Sequence, residues 1–125
     1  MVIYESGENY LETIFILREK SGTVRSIDVA NELGYSKASI SRAMGILKKA
    51  GYITIEDSGN ILLTESGKQK ATQIFHRHKI ITEFLMKTLG VDKDLADKDA
   101  CRIEHIISEE VFKEMKKYVE NGVAL

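Results

Sequence analysis

Between Ser26 and Thr64 short apolar periods alternate with glycines at intervals that leave few ways to fold. Ile27, Val29, Ala30 and Leu33 form a brief helical pattern that Gly34 ends, with Ser26 as its expected N-cap. Ser36 is placed to cap a second helix, in which Ile40, Ala43, Met44 and Leu47 recur at helical spacing until Gly51 closes it. Tyr52-Ile53-Thr54-Ile55 then alternates as a strand, Glu56-Asp57-Ser58-Gly59-Asn60 is a turn cluster, and Ile61-Leu62-Leu63-Thr64 supplies the returning strand. Two short helices joined by a tight turn and followed at once by a hairpin spell a winged helix-turn-helix.

In such a unit the second helix normally enters the DNA major groove. The expected outer face of this one carries Ser36, Lys37, Ser39, Ser41, Arg42 and Lys49. Small hydroxyls reach phosphates or base edges where space is tight, arginine can bridge a guanine, and helix N-terminal amides favour a phosphate. These six are the candidate DNA-binding residues. A solvated face of lysine and serine is also common in helix-turn-helix units that never meet DNA, so the charge pattern has to add to the argument. The net charge is only −1, yet residues 36–55 and 66–79 contain lysine and arginine and no acid. The hairpin turn is acidic, so the hairpin is expected to be architecture without a specific DNA contact.

The flanking segments are helical. Tyr10, Leu11, Ile14, Phe15 and Leu17 mark a first helix that follows Ser6-Gly7 and ends near Ser21-Gly22, and Thr23-Val24-Arg25 reads as a short strand. From Thr64, an expected N-cap, one long pattern runs to Leu89 with Gly90 as its stop. A helix of that length spans roughly 36 Å and is suited to joining two modules. Beyond it Leu95, Ala96 and Ala100, then Ile103, Ile106 and Ile107, precede a last helix that starts at Ser108 and carries Val111, Phe112, Met115 and Val119. The fold class is therefore mainly α with a small β-hairpin. Residues 1–65 are expected to form a winged-helix DNA-binding domain and residues 66–125 a helical linker and dimerisation domain. Two-fold DNA readers need a partner copy, so a homodimer is expected.

Chemistry concentrates at Cys101-Arg102-Ile103-Glu104-His105. A thiol, a carboxylate and an imidazole stand at i, i+3 and i+4, which share one face if the stretch is helical. The segment from Asp92 to Glu110 is acid-rich and suits cations better than phosphates. The only cysteine of the chain, Cys101, reads as a buried small hydrophobe, a reactive thiol or a metal ligand. Glu8 and Glu12 share a face of the first helix, where acids also satisfy the helix dipole, and His78 falls midway along the long helix, where a lone histidine is ordinarily a core group.

The strings Glu8-Asn9-Tyr10-Leu11-Glu12-Thr13-Ile14, Leu63-Thr64-Glu65-Ser66-Gly67, Arg77-His78 and Ile103-Glu104-His105, in this order and separation, resemble one family. The chain looks like a member of the diphtheria-toxin-repressor and manganese-transport-regulator family of metal-dependent transcriptional repressors, in the short form without an SH3-like domain. The resemblance implies metal sensing, with ligands drawn from the first helix at Glu12, the long helix at His78 and the Cys101 to His105 stretch at Glu104 and His105, the last two helices forming the metal-binding and dimerisation domain. Cys101 sits where the iron-responsive branch has cysteine and the manganese branch glutamate. Asn9 replaces methionine or aspartate; its carbonyl, Glu8 or a water could fill that place. Thr82 stands where a further glutamate is usual. Repression of metal-uptake genes under plentiful metal is the output the resemblance implies.

Thiolate and imidazole favour Fe(II), Co(II), Ni(II) or Zn(II), whereas carboxylate and amide oxygens favour Mn(II). Fe(II) is the first expectation and Mn(II) the second, with Zn(II) open. A winged-helix regulator answering a small organic ligand, with no functional metal site, is the alternative. An enzyme is not expected, because His-Glu-x-x-His, P-loop and nucleophile motifs are absent from the sequence. No apolar run approaches the ~20 residues of a membrane span, and a cytoplasmic protein is expected.

Overall fold

The computed structural model describes residues 5–122. Its elements are α1 (Glu5–Ser21), α2 (Ser26–Leu33), α3 (Lys37–Lys49), β1 (Ile53–Ile55), β2 (Ile61–Leu63), α4 (Glu65–Leu89), α5 (Lys93–Ile103) and α6 (Glu109–Asn121). The chain divides into two compact units within α4, between Thr72 and Gln73. Among the described residues no helix is long and apolar enough to cross a membrane.

The N-terminal unit is a winged helix-turn-helix. Leu11 and Ile14 of α1, Val29 of α2, Ile40, Met44 and Leu47 of α3, and Ile53 and Ile61 of the hairpin bury their side chains together. Ser36 caps α3 as expected, its Oγ accepting from Ser39 N at 3.2 Å. Helix α2 differs from expectation: Arg25 is the N-cap and Ser26 the first helical residue. The carboxylate of Asp28 reaches back to accept from Arg25 N at 2.9 Å, which satisfies the N-cap amide. Thr23-Val24-Arg25 is not a strand, although Val24 O accepts from Ile61 N at 2.7 Å. Helix α1 begins at Glu5, earlier than Ser6-Gly7 suggested.

The hairpin is antiparallel, pairing Ile53 with Leu63 and Ile55 with Ile61. Two arginines hold it through its main chain. Arg18 Nη1 donates to Ile61 O at 2.7 Å, and the Arg25 guanidinium donates to Ser58 O and lies against Gly59. Thr64 closes the hairpin onto α4, with its Oγ1 accepting from Gly67 N at 3.1 Å and donating to Gly51 O at 2.6 Å. Gly67 is packed so closely that a Cβ would lie 1.9 Å from Tyr52 O. Gly45 is of another kind. It stands inside α3, where glycine costs about 1 kcal/mol relative to alanine, and a Cβ there would meet nothing within 4 Å.

In the C-terminal unit Ile80 and Ile81 of α4, Ala100 of α5, and Phe112 and Val119 of α6 share a second core. Phe84 meets Tyr118 edge to face at 5.4 Å. Side-chain oxygens cap both later helices: Asp92 accepts from Leu95 N at 2.9 Å and Ser108 from Val111 N at 3.2 Å. Helix α5 ends at Ile103. Glu104 keeps helical angles as its C-cap, with its N–H bonded to Ala100 O at 2.9 Å, but His105 lies in the turn beyond. The single helical face expected for Cys101, Glu104 and His105 is therefore a helix end plus a turn, because Ile103 O takes both Ile106 N and Ile107 N.

Candidate metal centre and DNA-facing helix

The C-terminal unit gathers three of the candidate ligands. Cys101 on α5, Glu104 at its cap and His105 in the following turn each offer one ligand atom, and these atoms lie within 4.8 Å of one another. Glu104 is the hub. Its carboxylate is fully buried, with Oε1 3.2 Å from His105 Nε2 and Oε2 2.9 Å from His78 Nδ1. A buried carboxylate is strongly disfavoured unless positive charge or hydrogen bonds compensate it, and imidazoles on both oxygens supply the partners. Only 3% of the His105 side chain is exposed, so this imidazole is held away from solvent.

His78 joins the group through Glu104, while its other nitrogen, Nε2, lies 3.3 Å from Asp97 Oδ1. The Thr82 hydroxyl donates to the same Asp97 oxygen at 3.2 Å and so helps to orient that carboxylate. Asp97 did not stand out in the sequence because it lies among other surface acids. Its spacing of four residues before Cys101 and seven before Glu104 is the signal that places it on their side of α5. Arg77 was likewise missed as a separate contributor. Its guanidinium donates to Glu104 O at 3.1 Å and to Glu109 Oε2 at 2.7 Å, and stands over the Phe112 ring at 5.1 Å.

In the N-terminal unit Glu12 is buried on α1. Asn9, one turn earlier, is half-buried, and its main-chain carbonyl accepts from Thr13 Oγ1 at 2.8 Å. The Glu8 carboxylate lies 3.2 Å from Lys70 Nζ. The structure places Ser36, Lys37, Ser39, Ser41, Arg42 and Lys49 all in solvent on or at the start of α3. The Ser36 hydroxyl also donates to Ser39 Oγ at 3.0 Å, so this pair is committed to the cap in the absence of a partner. Sequence reasoning passed over Ile46, an apolar side chain 56% exposed on this helix.

Two family descriptions match the chain. "Iron dependent repressor, N-terminal DNA binding domain" covers residues 3–60, and "Iron dependent repressor, metal binding and dimerisation domain" covers residues 64–122. The chain belongs to the iron-dependent repressor family. It is similar to the HTH-type transcriptional regulator MntR of Shouchella clausii, 35% identical over 82% of this chain and 71% of that protein. The diphtheria toxin repressor of Corynebacterium diphtheriae is 25% identical over 95% of this chain, which spans 53% of its length. A solved manganese-dependent transcriptional repressor in complex with manganese shares the fold, with a TM-score of 0.85 at 24% identity over 91% of this chain and 52% of that one. Iron-dependent repressors are metal-dependent DNA-binding regulators rather than enzymes, and the resemblance stated from the sequence strings agrees with the match.

Proposed function

We propose that this protein represses metal-uptake genes when a divalent ion occupies a site built from Cys101, Glu104 and His105, with Glu12 as the ligand contributed by the N-terminal module. The observation that carries the reading is the convergence of the three C-terminal ligand atoms within 4.8 Å of one another around a fully buried carboxylate. The donor set fits a divalent transition metal: thiolate, carboxylate and imidazole together neutralise its charge and suit four- to six-coordinate ions. An ion bound there supplies a fixed positive centre. Glu104 orients both histidines, Asp97 and Thr82 fix the second face of His78, and Arg77 holds the main chain of the ligand-bearing turn. His78 is proposed to act with this set, as a ligand or through Glu104, and Asn9 to add its side-chain oxygen.

Fe(II) is the ion proposed first, because a thiolate beside imidazole favours it over Mn(II); Mn(II) is second and Zn(II) remains open. The DNA reader is proposed to be α3, through Ser36, Lys37, Ser39, Ser41, Arg42 and Lys49, in a cytoplasmic homodimer on two-fold operator DNA. With ligands drawn from α1 and from the α5 end, ion binding favours one arrangement of the modules, and by linkage DNA raises metal affinity by the same factor. The domains proposed for these two tasks are residues 1–65 and 66–125.

The test is operator selection from genomic fragments under anaerobic conditions with Fe(II), Mn(II) or Zn(II), repeated with Glu104→Ala and His105→Ala. Metal should raise affinity for the selected fragments, and either substitution should abolish the increase. Equal binding with chelator and with every ion would sink the sensor reading.

A further inference from the structure

Of the eight glycines whose surroundings the structure describes, six adopt positive φ and a seventh, Gly67, lies against Tyr52 O. Gly45 has neither reason. Its backbone is helical and the space a Cβ would take is open. Among the described residues nothing within the N-terminal unit calls for glycine there, and alanine would make a better helix. What surrounds Gly45 on α3 is informative: Ser41 and Arg42 stand one turn before it and Lys48 and Lys49 one turn after, all exposed. The helix contains no acidic residue.

We infer that Gly45 marks the closest approach of α3 to a DNA strand, where the missing Cβ leaves a notch between Arg42 and Lys49 that admits a backbone phosphate. The inference rests on the DNA-binding reading and adds a position to it that carries no donor of its own. Three cations and a hydroxyl around one bare stretch of helix fit a phosphate, whereas a second copy of this face would set like charges together. Phosphate contacts fix the register of a recognition helix on the duplex, so a methyl group in the notch would hold the helix away and weaken its neighbours' contacts together. Glycine is then retained against helix propensity because closeness matters there more than local stability.

Gly45→Ala tests this, because the two explanations predict different pairs of results. Thermal unfolding and binding to a mixed-sequence duplex of about 30 base pairs, long enough for two half-sites one turn apart, are measured on the full chain with Mn(II). The variant should unfold about 4 °C higher, as expected for relief of one helix penalty in a small domain. Its duplex affinity should fall about tenfold and its salt dependence should become shallower by about one phosphate contact. Manganese affinity in the absence of DNA should not change. Higher stability with unchanged duplex affinity would overturn the notch while leaving the DNA-binding reading intact. Lower stability would also overturn it, by showing an internal need for glycine. Failure of the unsubstituted protein to bind the duplex at low salt would remove the DNA-binding reading itself.

Discussion

Arg77 Nη1 donates to the main-chain carbonyl of Glu104 at 3.1 Å, and the ring of the next residue in α4, His78, lies 2.9 Å from the same residue's carboxylate. Consecutive side chains thus grip Glu104 by its backbone and by its functional group. Arg77→Ala releases the backbone half of the grip and leaves Glu109 without this partner. Outer contacts of this kind are worth about 10–100-fold in metal affinity. That loss is expected in anaerobic Co(II) titration, with Arg77→Lys recovering only part, because one ammonium nitrogen does not reproduce the spaced Nη1 and Nη2 donors of the planar guanidinium. Unchanged affinity for Arg77→Ala would show that the turn holds its shape without the guanidinium.

Cys101→Ser separates the metals. Replacing a thiolate with a hydroxyl should lower affinity for Fe(II) and Zn(II) by more than tenfold and for Mn(II) by less, moving preference toward the harder ion. Competition between Mn(II) and Zn(II), read by metal analysis of dialysed protein, gives the answer. A uniform loss across ions would make Cys101 a packing residue.

Arg42→Ala should weaken duplex binding by about 1–3 kcal/mol and spare metal affinity. Arg42 is exposed on α3, so its removal should leave thermal unfolding within about 1 kcal/mol of the parent. Loss of metal affinity in parallel would instead trace the effect to damage of the fold.

Gly67→Ala should be severe. A methyl placed 1.9 Å from Tyr52 O must push α4 from the hairpin, and Tyr52 O also accepts from Thr64 N at 3.0 Å. A loss of about 2 kcal/mol or more is expected for such overpacking, read as a fall in the unfolding midpoint. Against the rise expected for Gly45→Ala, two glycine substitutions in one small unit should act in opposite directions.

Much of this architecture was legible because punctuation and period agreed. Ser36 and Ser108 cap helices whose buried faces repeat every three or four residues, and the hairpin follows Gly51 and folds back at the Glu56-Asp57-Ser58-Gly59-Asn60 turn. The misreadings arose where a side chain outside the local pattern decided the outcome. Asp28 satisfied Arg25 N and so moved the N-cap of α2 back by one residue. At the other end, α5 lacks a C-terminal glycine, so nothing in the string signalled that His105 lies beyond the helix. The Cys101, Glu104 and His105 cluster was visible as spacing, but the support from Arg77, Thr82 and Asp97 depends on packing between α4 and α5, which no single segment encodes.

Arg18 and Arg25 both engage main-chain carbonyls of the hairpin, at Ile61 and Ser58. A count of positive charge credits both to phosphate attraction, yet their guanidinium groups already have an internal occupation. The hairpin therefore holds its shape from within, and the unit that carries α3 has little ordering entropy left to lose when it docks. Substituting either arginine should slow productive docking before it weakens the final complex, a signature to be sought in association rates rather than in equilibrium constants.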